Sequence, residues 1–145
     1  MKVVLQRVQR ASVTIAQKRI AQIKNGALLL VGFGQNDDEQ TVDYLARKIS
    51  KSRIFSDQNG KINLAINDVQ GQILSVSQFT LYADTAKGNR PSFVDALNPQ
   101  QAEKLYDLFN EKLRASGCDV QTGVFGADMQ VELVNDGPLT IIYER

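Results

Sequence analysis

Two short polar segments, far apart in the chain, carry residue types that could act on a carbonyl group. Ser77-Gln78-Phe79-Thr80 follows an apolar run, so it places hydroxyls, an amide and backbone N–H groups at the end of a predicted strand. N–H groups held in this way can form an oxyanion hole for acyl transfer. Asn135-Asp136-Gly137-Pro138 lies between two strand-like stretches, and its Gly-Pro bond can adopt cis cheaply or hold a carbonyl in an unusual direction.

The composition restricts the mechanism of any hydrolysis. The chain has no histidine, which excludes a Ser-His-Asp or Cys-His pair, a histidine base and histidine-rich zinc sites. The single cysteine, Cys118, excludes an internal disulfide and a cysteine metal cluster. Thr80 as a nucleophile would need an adjacent base, and the next lysine in sequence is Lys87. We therefore expect Thr80 to position the substrate, and water, backbone N–H groups, carboxylates or substrate groups to do the chemistry.

The charges are unevenly distributed, although the net charge is only +1. No Asp or Glu occurs from residue 1 to residue 36, and four cations follow on one predicted helix: Arg47, Lys48, Lys51 and Arg53. A basic half of this kind can hold a polyanion. The same asymmetry also fits an ordinary solvated surface, which charge alone slightly favours.

Each candidate segment also has an ordinary structural explanation. The hydroxyls of Ser77–Thr80 could satisfy local backbone groups, and Gly137-Pro138 could end strand pairing at a sheet edge. Taken one at a time, these structural explanations are favoured. Two further pairs of residues have both a functional and a structural interpretation. Lys87 and Arg90 lie in a basic loop, which could contact phosphate or could simply be solvated. Phe125 and Met129 lie beside predicted strands and could line a pocket, although such residues more often belong to the core.

The elements that must position these residues follow from periodicity and turn signals. Alternation and apolar runs predict strands at 3–8, 11–15, 20–23, 26–33, 72–79, 120–125, 129–134 and 139–143, with a turn at Asn25-Gly26. Apolar residues at helical spacing predict a helix from 37 to 53 and another from Asn98 to Gly117. Two helices and many strands, mostly antiparallel, predict an α/β fold of layered sheets with both helices on one face. No linker interrupts the chain, so we expect one domain over 1–145.

The sequence resembles the D-aminoacyl-tRNA deacylase family nearly from end to end. The resemblance is carried by several separate motifs, which occur in the same order as in the family: Val3–Val8, Arg53-Ile54-Phe55, Ser77–Asp84, Arg90-Pro91-Ser92-Phe93, Thr122-Gly123, Phe125-Gly126-Ala127 and Asn135–Pro138. The probability that so many independent motifs agree by chance is very small.

The resemblance implies a homodimeric hydrolase that cuts the ester between a D-amino acid and the 3′ end of tRNA, with no cofactor or metal. Gly137 and Pro138 would form a cis peptide inserted into the partner subunit's site. Their carbonyls would hold the substrate's α-amino group and leave no room for an L side chain. Glycine would pass the same filter.

The resemblance also implies roles for the remaining candidates. Ser77, Gln78, Phe79 and Thr80 would form the floor of the site with a backbone oxyanion hole, assisted by the ribose 2′-OH. Supporting and substrate-binding roles would fall to Arg7, which braces the Gly-Pro segment, to Phe125 and Met129 beside the terminal adenosine, and to Asn135; Lys87 and Arg90 are candidate phosphate contacts.

Partners and location complete the expectation. Aminoacylated tRNA is the expected partner, with no DNA and no membrane, because no stretch reaches the ~18 apolar residues of a membrane span. We expect a cytoplasmic protein. Two rivals remain: a nucleic-acid-binding module without hydrolysis, which would not need Gly137-Pro138, and a structural β-rich dimer, which leaves Ser77–Thr80 unexplained.

Overall fold

A long first strand organises the sheet in the computed structural model, which describes residues 1–145. The strands are β1 (Lys2–Ile15), β2 (Lys18–Ile23), β3 (Gly26–Gly32), β4 (Phe55–Ser56), β5 (Ile62–Leu64), β6 (Gln72–Ser77), β7 (Asp119–Thr122) and β8 (Gln130–Glu144). The helices are α1 (Glu39–Ser50) and α2 (Pro99–Ala115), and a short 3₁₀ turn covers Phe79–Tyr82. The predicted α/β class with layered mixed sheets is confirmed.

Strand β1 has partners along both edges. Strand β8 pairs antiparallel with one edge over nearly its whole length, while β3 and then β2 pair antiparallel with the other. Beyond β3 the sheet continues with β6 and β7, which are parallel to it. The strands predicted at 3–8 and 11–15 are one strand, as are those at 129–134 and 139–143.

The predicted turn at Asn25-Gly26 is not a chain reversal. Strands β2 and β3 lie on the same edge of β1, so the chain only bends between them. The reversal occurs instead between β1 and β2 at Ala16 and Gln17, whose φ angles are 46° and 66°. Two consecutive left-handed residues match a tight type I′ hairpin, which usually selects Asn-Gly. The register of β1 therefore decides the topology here, rather than the local turn signal.

Two apolar clusters lie on opposite faces of the sheet. Odd-numbered residues of β3 and of the first half of β1, such as Val3, Leu5 and Leu29, pack under the two helices in the larger cluster. Leu28 and Leu74 face the other way, into a smaller cluster with the second half of β1. Because β3 is buried on both faces, its nearly continuous apolar sequence follows directly.

Both helices begin at side-chain caps. The Asp38 carboxylate accepts a hydrogen bond of 2.8 Å from the Thr41 N–H, and the Asn98 side-chain oxygen accepts one of 3.1 Å from the Gln101 N–H. Most apolar residues at helical spacing in both helices are buried, whereas Leu105 is half-buried. Helix α1 ends at Ser50 rather than at 53, and Gly117 has the left-handed φ of 85° expected after α2. No helix combines the length and hydropathy required to cross a membrane.

Candidate active site

A cleft of about 590 Å³ opens where β3 and β6 end. Parallel strands bring their carboxyl ends to the same edge of a sheet, which is where open α/β sheets commonly bind ligands. The start of α2 and the loop before β8 complete its walls. The lining is mostly apolar, and Asp128 is its only ionisable residue. Nowhere in the structure do three or more His, Cys, Asp or Glu side chains gather to hold a metal ion.

The segment Ser77–Thr80 forms one side of this cleft, but it is not a strand throughout. Strand β6 ends at Ser77, opposite Val31 of β3. The chain then enters the 3₁₀ turn, whose first internal hydrogen bond runs from the Leu81 N–H to the Gln78 carbonyl at 3.2 Å. The predicted strand at 72–79 is therefore two residues too long.

The backbone N–H groups of this segment differ in their availability. The Gln78 N–H donates to the Val31 carbonyl at 2.7 Å, so it is already used within the sheet. The Phe79 and Thr80 N–H groups stand at the start of the turn, where 3₁₀ geometry provides no acceptor within the turn. These two N–H groups are donors that the segment can offer.

Thr80 lies at the rim rather than in the lining of the cleft. Its hydroxyl accepts a hydrogen bond of 2.5 Å from the Gln78 side-chain amide, and the residue is exposed. No lysine or arginine lines the cleft. The cleft lining therefore offers no lysine to act as a base for Thr80, which favours a positioning role.

Asp37 ties the 3₁₀ turn to the end of β3. One carboxylate oxygen accepts hydrogen bonds from the Gly34 N–H at 2.6 Å and from the Tyr82 hydroxyl at 3.2 Å. The other oxygen pairs with the Met1 ammonium group. Burial, together with the Asp37 charge, raises the pKa of Tyr82 far above its usual value. A Cβ on Gly34 would lie 2.5 Å from the Tyr82 ring, so this approach requires glycine.

Sequence reasoning missed this contribution of Asp37. The residue stands beside Asp38 and Glu39, where acids are expected before a helix for electrostatic reasons. Nothing in that local pattern indicates a bond to a tyrosine 45 positions further along the chain.

Aromatic side chains mark the mouth of the cleft. The rings of Phe79 and Phe93 meet edge to face with centroids 5.1 Å apart, and 59% and 38% of these residues remain exposed. Phe125 and Met129 are half-buried and both line the cleft, where they also contact the apolar core. The two alternatives for this pair, pocket lining and core, therefore both apply.

Gly137 and Pro138 project from the middle of β8. Gln6 pairs with Thr140 and Val8 with Asn135, so four residues of β8 bulge opposite the single residue Arg7. The peptide bond between Gly137 and Pro138 is cis, and both residues are exposed.

Arg7 and Asn135 hold this bulge. The Arg7 guanidinium donates to the Asp136 carbonyl at 3.2 Å and to the Ile54 carbonyl at 2.7 Å, and it pairs with the Asp136 carboxylate at 3.0 Å. The Asn135 side-chain oxygen accepts from the Leu139 N–H at 2.8 Å, and its amide nitrogen donates to the Thr140 hydroxyl at 3.2 Å. The polar groups of Asn135 are thus used within the bulge.

The Gly-Pro bulge and the cleft lie at different ends of the sheet. Arg7 faces Ala27 near the start of β3, whereas the cleft begins at Val31 near its end. Four residues of strand span about 13 Å. Neither Gly137 nor Pro138 lines the cleft of its own chain, so the fold does not bring the two predicted motifs together within one copy.

Lys87 and Arg90 lie in an exposed loop after the 3₁₀ turn. Reciprocal backbone hydrogen bonds between Asp84 and Ser92, of 2.8 and 2.9 Å, close the base of this loop. Neither cation takes part in an ion pair. Since Phe93 follows directly and reaches the cleft mouth, the loop is a neighbour of the cleft.

Comparison with known proteins gives consistent matches. The family model described as D-Tyr-tRNA(Tyr) deacylase matches residues 4–144. Proteins named D-aminoacyl-tRNA deacylase from two Limosilactobacillus reuteri strains, DSM 20016 and JCM 1112, are each 57% identical over 145 residues, with full coverage of both chains.

Solved structures share the fold. One described as c-Myc DNA Unwinding Element Binding Protein has a TM-score of 0.93 and 42% identity, with 100% of this chain and 99% of that chain covered. Another, described as a probable eukaryotic D-amino acid tRNA deacylase, has a TM-score of 0.85 and covers 98% of this chain and 97% of its own. At 17% identity, the second match concerns the fold alone.

Proposed function

The chain belongs to the D-Tyr-tRNA(Tyr) deacylase family, and from this premise we propose that it hydrolyses the ester between a D-amino acid and the 3′ end of tRNA. The observation that carries the proposal is the family match over nearly the whole chain, including both motifs. The cleft agrees with it, because an apolar pocket with a few convergent polar groups suits a small acyl and nucleoside end. From charged tRNA as the proposed substrate we also infer a cytoplasmic location.

The chemistry proposed for the cleft is attack of water on the ester carbonyl. The C–O bond to the ribose 3′ oxygen breaks, and that oxygen leaves with a proton, giving a free D-amino acid and tRNA. The Phe79 and Thr80 N–H groups stabilise the oxyanion of the tetrahedral intermediate, because neither has an acceptor inside the 3₁₀ turn. With no histidine in the chain, the neighbouring ribose 2′-OH assists the proton transfer.

Phe125 and Met129 are assigned to the terminal adenosine. Both line the cleft and present flat or flexible apolar surface to a base. Lys87 and Arg90 are assigned to nearby tRNA phosphates, because they are exposed, unpaired cations beside the cleft mouth.

Discrimination between enantiomers is assigned to Gly137 and Pro138 acting in a homodimer. The bulge lies away from the cleft of its own chain, so it can serve only the cleft of a second copy. Strand β8 pairs on one edge only, and such a free edge offers a surface for association. Inserted carbonyls would hold the substrate's α-amino group and exclude an L side chain, while glycine on a non-cognate tRNA would still be cleaved.

Gly137→Ala tests this assignment. Gly137 has φ of 129°, and an added Cβ would lie 3.1 Å from an Arg7 guanidinium nitrogen, so the bulge must shift. We expect faster loss of L-tyrosine from L-tyrosyl-tRNA, measured against D-tyrosyl-tRNA in parallel.

Gly60→Ala is the matched control, because Gly60 also has a left-handed φ, 75°, but meets no atom within 4 Å. Unchanged rejection of the L ester by a folded, dimeric Gly137→Ala protein would contradict the role of the bulge. If the unmodified protein binds tRNA but cleaves neither ester, the non-catalytic binding module becomes the better account.

A further inference from the structure

A strip of four cations covers the end of α1 and the segment after it: Arg47, Lys48, Lys51 and Arg53, here called the basic strip. All four side chains are exposed. Lys51, the C-cap residue of α1, follows Arg47 by four positions and Lys48 by three, so it lies on the same side of the helix as both. The strip extends over about 13 Å, counting helical rise to Lys51 and extended chain to Arg53.

The cations of the basic strip have no partners. None of them makes an ion pair or donates a side-chain hydrogen bond. Asp43, four positions before Arg47 on α1, pairs instead with Lys112. Cations in the last helical turn favourably complement the helix dipole, which accounts for Arg47 and Lys48 but not for Lys51 and Arg53.

The fold fixes the position of the basic strip relative to the Gly-Pro bulge. Ile54 directly follows Arg53, and its carbonyl accepts a hydrogen bond of 2.7 Å from Arg7. The same guanidinium binds the Asp136 carbonyl beside Gly137. The Ser52 and Tyr143 hydroxyls, 2.7 Å apart, join the segment to β8 as well. One arginine therefore links the strip to the bulge.

We propose that the basic strip binds the phosphodiester backbone of the tRNA whose 3′ end occupies the cleft of the partner subunit. The inference rests on the proposed function, in which the bulge of one copy enters the cleft of the other. A strip tied to that bulge then lies beside the partner's cleft, not its own. The bound tRNA supplies the high density of negative charge that four unpaired cations require.

Lys48→Gln/Lys51→Gln tests the proposal. Glutamine keeps the helix propensity and removes only the charges. Michaelis constants are measured for D-tyrosyl-tRNA and for 3′-O-D-tyrosyl-adenosine, which ends at the nucleoside and carries no phosphates. We expect KM for the tRNA ester to rise about fivefold or more, and its logarithmic salt slope to fall by roughly 1.5. The constants for the small ester should not change.

Lys18→Gln/Lys104→Gln is the control, because both lysines are exposed and unpaired and lie outside the strip. An equal loss in this control, or no rise in KM for the strip variant, would overturn the proposal. Weaker binding of duplex DNA with unchanged binding of tRNA would also overturn it, and would assign the strip to DNA. If the unmodified protein cleaves neither ester, the proposed function itself fails, which is a separate result.

Discussion

Replacing Arg7 should loosen the Gly-Pro bulge and lower the stability of the whole protein. The side chain is only 11% exposed and joins three parts of the chain: β1, the segment after α1 and the bulge in β8. Methionine at this position keeps much of the side-chain stem but removes every donor. Lysine keeps the charge, but its single nitrogen cannot reproduce the two-nitrogen fork.

The magnitude follows from the contacts that are lost. A hydrogen bond from a charged donor contributes about 1.5–3 kcal/mol, and Arg7 makes two such bonds to backbone carbonyls. The ion pair with Asp136 adds little, because that carboxylate side chain is 37% exposed. We expect Arg7→Met to lower the free energy of unfolding by about 3–5 kcal/mol and Arg7→Lys by about half as much.

Urea denaturation measures the loss, and amide hydrogen exchange over 135–139 locates it. Arg10→Met is the control, because Arg10 lies on the same strand, is exposed and makes no side-chain hydrogen bond. A urea midpoint for Arg7→Met equal to that of the unmodified protein would show that the Arg7 hydrogen bonds do not stabilise the fold. If amide hydrogen exchange becomes faster over the whole chain, with no additional increase at 135–139, Arg7 does not hold the bulge specifically.

Three other variants test separate features. Thr80→Ala should retain hydrolysis within about tenfold, because a single positioning contact is lost; complete loss of turnover with intact substrate binding would restore the nucleophile model. Hydrogen bonds from Thr41 lower the pKa of Asp38, so this cap stabilises the protein above the usual aspartate range and is lost as the pH falls through the lowered pKa. The Asp38→Asn protein should therefore melt at a lower temperature than the unmodified protein near neutral pH, and this difference in melting temperature should shrink as the pH is lowered. A difference that does not change with pH would contradict this. Ala16→Asn/Gln17→Gly should raise the free energy of unfolding by roughly 1 kcal/mol in urea titrations, because both positions have positive φ; no gain would mean that the turn is not strained.

The sequence predicted the elements whose signals are local. The faces of α1 and α2 follow from three-and-four spacing, and Asp38 and Asn98 cap the helices through backbone N–H groups only three residues away. Strand β3 could be recognised from its uninterrupted apolar run. In each case the residues that form the signal are also those that make the contact.

The errors occurred where distant contacts decide the local structure. Strand β6 stops at Ser77, and the 3₁₀ turn that follows is held by Tyr82, which packs on Gly34 and donates a hydrogen bond to Asp37. Neither Gly34 nor Asp37 is near this turn in sequence. The chain does not reverse direction at Asn25-Gly26, because both flanking strands pair antiparallel with β1. Likewise, the bond from Arg7 to the Ile54 carbonyl is visible only in the folded chain.

The release of tyrosine from two otherwise identical esters, D-tyrosyl-tRNA and L-tyrosyl-tRNA, by the purified protein tests both the proposed hydrolysis and its enantiomer selection. We predict fast release of D-tyrosine, with the L ester lost no faster than in buffer. Equal rates for the two esters would contradict the enantiomer selection assigned to the bulge. If the protein binds both charged tRNAs but hydrolyses neither ester, the hydrolase assignment itself would be contradicted.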